Sequence, residues 1–255
     1  MLPTADMSAQ AAAVDFVRCI VPFWQAALGS ELLGIYLIGS LAHGGFSPRY
    51  SDIDMAVVTE AGLSPQALDL MRSQMAAVSA EWAARLSIFW SDRHFGIGRF
   101  PPLDRIDYID HAVVLMERER VQPVRPRLEE IRDYLGGAPF ANWTEQARRF
   151  ASAEALDPKD RKAYLRTLLY PGRFCYSWMT GCMGSNDEAV AFLKKTRPAP
   201  LDVSLISRAL QCRHADADPD FLFPARTRLP SQVDACATLL AGVPLAGRSN
   251  ARGRR

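Results

Sequence analysis

The sequence predicts an α+β N-terminal unit, a small sheet flanked by helices, followed by an all-α helical bundle. Three observations carry this. The strand-like apolar runs Leu32–Ile38, Asp52–Val58 and Leu86–Trp90 all fall before Ser91. Helical apolar spacing surrounds them, beginning with Ala12, Phe16, Cys19, Ile20, Phe23 and Ala27. Beyond Gly136-Gly137-Ala138-Pro139 the strand-like alternation disappears and only helical spacing remains.

Taken in order, Ser8 to Leu28 reads as a helix that Gly29 is placed to end. Leu32–Ile38 follows as a buried strand, then a helical turn and loop through His43–Tyr50, then the strand Asp52–Val58. Ser64 caps a helix with Pro65 in its first position, predicted to run to about Arg85. Leu86–Trp90 is the third strand, Arg99–Pro102 is irregular, and Tyr108–Glu119 and Arg127–Leu135 read as helices. The Gly136–Pro139 stretch is the predicted boundary, giving a first unit over residues 1–137 and a helical unit over residues 138–245. The latter carries helices over Thr144–Leu156, Lys159–Gly181, Ser185–Thr196, Leu201–Cys212 and Ser231–Ala241. Residues 246–255, with Arg248, Arg252, Arg254 and Arg255, read as a disordered basic tail.

Composition narrows the classes. With 255 residues, 49% hydrophobic and 23% charged, the chain is that of a globular protein with one large domain or two modest ones. A net charge of +2 is too small to mark a nucleic-acid-binding face. Five scattered cysteines with no CxxC pair give no disulfide or zinc framework and point to reduced thiols in the cytoplasm. Met1–Asp15 shows no secretion-signal pattern, and no apolar run reads as long enough to span a membrane.

The chemistry concentrates in two short stretches. Leu37-Ile38-Gly39-Ser40 is a strand that breaks into a tight turn, where Gly39 lets backbone N–H groups approach an anion closely and Ser40 adds a hydroxyl. Eleven residues on, Ser51-Asp52-Ile53-Asp54 places two carboxylates at i and i+2, on one face of a strand. Unpaired, they would repel and resist burial. A divalent ion with a taste for hard oxygen ligands, Mg²⁺ above all, is the simplest remedy. The plainer alternative, Asp52 capping the strand and Asp54 facing solvent, leaves the Gly-Ser turn unexplained.

This constellation resembles the signature of the polymerase-beta-like nucleotidyltransferase superfamily. Tyr170–Gly181 and Ser185–Ala189 look like the C-terminal helical domain of the aminoglycoside 3''-adenylyltransferases, and Tyr108–Pro126 resembles their linker helices. The resemblance implies a small mixed sheet, a cleft between two domains, and transfer of AMP from ATP to a hydroxyl of a small acceptor such as an aminoglycoside. It implies Asp52 and Asp54 as catalytic metal ligands, and Gly39, Ser40, Ser51 and Arg173 as nucleotide contacts. A protein or nucleotide-like acceptor also remains open.

The pattern breaks in two places. The family's third carboxylate, on the strand after the Asp-x-Asp strand, corresponds here to Ser87, which cannot act as a base unaided near neutral pH. Asp92 is the nearest substitute in sequence, with Asp104 and Asp107 as further candidates. Lysines that follow the family's helical-domain arginine correspond to Cys182 and Asn186, and Lys194, Lys195 or Arg197 are the cations available to compensate. These departures support a second expectation, a catalytically impaired nucleotide-binding regulator or antitoxin-like partner that keeps the fold. Trp90, Trp143 and Trp178 read as packing residues before base-stacking ones, and His43, His94 and His111 as passive.

Overall fold

The computed structural model describes residues 4–197 and 200–242; the basic tail expected from residue 246 lies outside them. Helix α1 (Thr4–Leu28) leads through a 3₁₀ turn into β1 (Leu32–Ile38), the short helix α2 (Ser40–His43) and β2 (Ile53–Thr59). Then come α3 (Pro65–Val78), α4 (Ala80–Ala84), β3 (Leu86–Asp92), β4 (Gly98–Arg99), α5 (Pro102–His111) and β5 (Val113–Glu117). The rest is helical: α6 (Leu128–Gly136), α7 (Ala138–Ser152), α8 (Arg161–Thr180), α9 (Asn186–Thr196), α10 (Val203–His214) and α11 (Leu229–Gly242).

The five strands form one mixed sheet in the order β4-β3-β2-β1-β5, with β2 and β3 parallel and the other neighbours antiparallel. Its two faces have different coverings. Ile35, Leu37, Ile53, Met55 and Val57 pack under α1 and α3 with Phe16, Val17, Ile20, Trp24, Met71 and Met75. Tyr36, Ile38, Ala56 and Val58 face α5 through Tyr108. Asp54 shares the pleat of Ala56 and Val58, so alternation turns it toward α5.

Several expectations need correction. In α1 the buried face is Ala13, Phe16, Val17, Ile20, Val21 and Trp24, leaving Ala12, Cys19 and Ala27 outside. Only Asp15 and Arg18 carry charge between Ala9 and Leu28, and Ala9–Glu31 is long and apolar enough, by length and composition alone, to cross a membrane. Against expectation such a run therefore exists, and here its apolar stripe covers the sheet. The helix from Pro65 stops at Val78 because Ser79, extended at φ −159°, caps α4 by accepting from the Trp82 N–H. The helix expected over Tyr108–Glu119 is instead α5, started by Pro102, followed by the edge strand β5, whose Val113 and Val114 favour pleated backbone.

A second core fills the helical half, around Trp143, Phe150, Tyr164, Leu168, Phe174, Leu193, Ile206 and Leu222. Ile131 and Leu135 of α6 belong to it, so the Gly136–Pro139 stretch turns a corner inside this core. Ile106 of α5 and Tyr50 of the loop before β2 reach into it as well. Helix α5 is thus sandwiched, with Tyr108 on the sheet and Ile106 on the helical core.

Candidate active site

Antiparallel pairing sets Ile38 opposite Asp54, so the end of β1 and the start of β2 meet at one end of the sheet's inner strands. The chain leaves β1 through Gly39 at φ +70°, a conformation that favours glycine. A Cβ at Gly39 would lie 2.2 Å from Asp54 Oδ2, so the turn closes directly over that carboxylate. On the other side of Asp54, in parallel register, stands Ser87 of β3.

Around this point lies a cavity of about 410 Å³ between the sheet unit and the helical unit. One wall carries carboxylates: Asp52 and Asp54 from the β2 entry, Asp104 and Asp107 from α5. The helical unit contributes cations to the lining: Lys162, Arg166 and Arg173 from α8 and Arg213 from α10. Tyr134, Leu165, Leu169 and Tyr170 supply apolar surface.

Burial and the neighbouring Asp52 charge push the Asp54 carboxyl up to about 6. No hydrogen bond reaches that carboxylate among the described residues. Burial, with the charges of Asp54 and Asp107, pushes Asp104 up to about 7. Asp52 is better served, accepting from Lys162 Nζ at 2.5 Å. Asp107 is 2% exposed and accepts from the Gly39 N–H at 2.6 Å, with His43 Nε2 3.9 Å from its other oxygen. Burial lowers the His43 pKa, favouring its neutral form. The His43 ring lies 5.3 Å from that of His111.

The loop before β2 is organised by the Ser51 hydroxyl. It accepts from the Ser47 N–H at 2.9 Å and from an Arg213 N–H at 2.6 Å, and it bonds the Ser40 hydroxyl at 3.1 Å. Arg213 also donates to the Gly45 carbonyl, and Arg85 donates twice to the Ser51 carbonyl. Tyr50 Oη donates to the Ala217 carbonyl, a further tie from this loop to the helical unit.

Of the residues singled out from sequence, Gly39, Ser40, Asp52, Asp54 and Arg173 line the cavity together. Ser51 lies behind Ser40, 3% exposed, where it shapes the loop. The Gly39 N–H, expected to face phosphate, is held by Asp107. Asp92 is not brought to the cavity: it ends β3 opposite Thr59, and Oδ1 accepts from the Gly96 and Ile97 N–H groups of an exposed turn. Asp104 and Asp107 occupy the wall that Asp92 does not reach.

Asn186 lines the cavity at the start of α9, whereas Lys194, Lys195 and Arg197 sit at its far end, outside the cavity lining. Sequence reasoning does not single out Lys162, Arg166 or Arg213, which also line the cavity. The first two, with Arg173, recur at helical spacing on one face of α8, a periodicity readable once the helix is placed. Arg213 reads locally as an ordinary last-turn cation of α10. Trp143 and Trp178 are buried in the helical core, and Trp143 donates to the Thr167 carbonyl.

A small mixed sheet carries this Gly-Ser turn and carboxylate pair, and a helical unit caps it across a charged cavity, an architecture consistent with a nucleotidyltransferase fold plus a helical domain. No protein-family model matches the sequence, and no curated protein is similar to it. Among solved structures, the fold is similar to that of spectinomycin adenyltransferase AAD(9) from Enterococcus faecialis, crystallised with ATP and spectinomycin. The TM-score is 0.62 at 12% sequence identity, covering 89% of this chain and 99% of that one. At that identity the likeness establishes the fold.

The residues fit a divalent ion. Asp52 and Asp54 are adjacent hard-oxygen donors, and the Asp54 carboxyl is buried without a hydrogen-bond donor. No cluster of three or more His, Cys, Asp or Glu suited to a metal occurs among the described residues. Two carboxylates are what Mg²⁺ uses when water and substrate phosphate complete its shell.

Proposed function

We propose that this protein is a Mg²⁺-dependent nucleotidyltransferase that transfers AMP from ATP to a hydroxyl of a small acceptor. One observation carries the reading: a carboxylate pair under a glycine turn, with Asp54 lacking any hydrogen-bond donor among the described residues, lines one cavity with four cations. An anionic polyphosphate bridged to the carboxylates by a cation satisfies both walls at once. The likeness to a structure that holds ATP supports the choice of nucleotide.

Asp52 and Asp54 would hold Mg²⁺, which when bound neutralises charge on the attacked phosphate and on the departing pyrophosphate. The Ser40 hydroxyl, on the cavity surface, donates to a phosphate oxygen. Arg173 and Arg166 approach from α8 and take up the remaining negative charge. The acceptor oxygen forms a bond to the α-phosphorus as the bridging bond to the β-phosphate breaks, and pyrophosphate leaves with that electron pair. Asp104 is the wall carboxylate committed neither to the metal pair nor to the Gly39 turn, and it takes the hydroxyl proton. Its pKa of about 7 suits a base working near neutral pH.

The acceptor in this reading is small and hydroxylated, as spectinomycin is in the similar structure. The four wall carboxylates are compatible with an aminoglycoside. A cytoplasmic setting belongs to the same reading, supported by five free cysteines. The second reading, a nucleotide-binding regulator without catalysis, draws on Ser87 beside Asp54. Asp104 on the facing helix favours the enzyme.

The test is incubation with ATP labelled on the α-phosphate, Mg²⁺ and a panel of aminoglycosides and aminocyclitols. Expected is label transfer with pyrophosphate release, lost in Asp54→Ala. Tight Mg²⁺·ATP binding with no pyrophosphate from any acceptor would favour the regulator.

A further inference from the structure

Lys162 and Asp52 belong to different halves of the molecule. Lys162 stands on the first turn of α8 in the helical core, and Asp52 immediately precedes β2 in the sheet. Their side chains nevertheless meet, Nζ to Oδ1, and each is 37% exposed. An ion pair with that much access to water is exchangeable.

The pairing is asymmetric. Asp52 has Lys162, while Asp54 beside it has no hydrogen-bonded cation among the described residues. Lys162 therefore supplies one positive charge where two carboxylates crowd, and a divalent ion between them supplies two. Ammonium and metal on one carboxylate repel each other, so both cannot keep it at full strength. Lys162 lines the same cavity as Arg166 and Arg173, and a phosphate chain entering there offers its ammonium a new anion.

We propose that Lys162 is an exchangeable counter-ion for the metal site. It neutralises Asp52 while no metal is bound, and it passes to the phosphate chain when Asp52 turns to the metal. This rests on the metal-nucleotide reading above and adds a residue and an order of events to it. The exchange makes opposite demands on two binding equilibria, which a merely structural lysine would not.

The experiment uses the full chain and its Lys162→Met and Lys162→Gln variants, each first shown to melt cooperatively. Calorimetry measures Mn²⁺ alone, with no nucleotide, and then ATP in the presence of Mg²⁺. With its competitor removed, Mn²⁺ alone is expected to bind about three- to tenfold tighter in both variants. Loss of a charge-assisted phosphate contact is expected to weaken Mg²⁺·ATP about tenfold. Unchanged or weaker Mn²⁺ binding, or unchanged Mg²⁺·ATP binding, overturns the exchange. Asp54→Ala, measured in parallel, separates this from failure of the site itself. If it binds Mn²⁺ as the parent does, the metal assignment falls and the exchange falls with it.

Discussion

The sheet-borne wall of the cavity and the helix-borne wall hold their charges by different means. Asp54 is fixed by backbone alone: strand register sets it opposite Ile38 and Ser87, and the Gly39 turn closes over it. Lys162, Arg166, Arg173 and Arg213 are long side chains on α8 and α10, helices of the other half, and Lys162 and Arg213 reach across to bond Asp52 and Ser51. Strand register places Asp54, whereas Lys162 and Arg213 are held by side-chain bonds. Such a division suits a site that must present a rigid metal pair yet follow a phosphate chain.

The largest effect is expected where backbone sets an acid. Gly39→Val puts a branched side chain at φ +70° and on top of Asp54 Oδ2. It should cost at least about 1–2 kcal/mol from the backbone conformation alone. Urea unfolding is expected to show that loss, and calorimetry no Mg²⁺·ATP binding. A Gly39→Val protein of parental stability and affinity would break the contrast between the walls.

A smaller effect is expected on the helix side. Arg213→Ala removes the donor that ties α10 to Ser51 and Gly45, leaving the loop its Ser47, Arg85 and Tyr50 bonds. A loss of about 1–3 kcal/mol is expected in urea unfolding, typical of a hydrogen bond to a charged group. Loss of the folded state would mean that the cationic wall is as structural as the acidic one.

The third test turns on pH. Asp104 has its folded pKa raised to about 7, so between about 4 and 7 the folded chain holds a proton there that the unfolded chain has released. Stability from this group falls as pH rises through that window. Asp104→Asn removes the penalty, and its melting-temperature advantage over the parent should be greater at pH 8 than at pH 5. The lowered pKa of His43 acts in the opposite direction and is common to both proteins. An equal difference at both pH values would show that Asp104 is not held as described.

The same contrast explains what could be read from sequence. The strand Leu32–Ile38, the Gly39-Ser40 turn and the Asp52/Asp54 pair depend on period-two alternation and turn chemistry, both local. The capping box of α9, with Ser185 and Glu188, is equally local. Asp92 misled because adjacency in sequence on β3 places it at the far end of that strand from Ser87, in an exposed turn. Asp107 could be named as a candidate acid, but its grip on the Gly39 N–H spans sixty-eight positions in the chain. Arg213 and Lys162 reach partners still further away in sequence, and no local pattern records that.

The central claim is that Asp52 and Asp54 form a metal-nucleotide site. Titration of ATP into the parent and into Asp54→Ala, with Mg²⁺ and with EDTA, tests it most directly. The parent should bind with Mg²⁺ and lose most of that affinity in EDTA, while Asp54→Ala should bind weakly in both. Metal-independent binding of equal strength in the two proteins would contradict the claim.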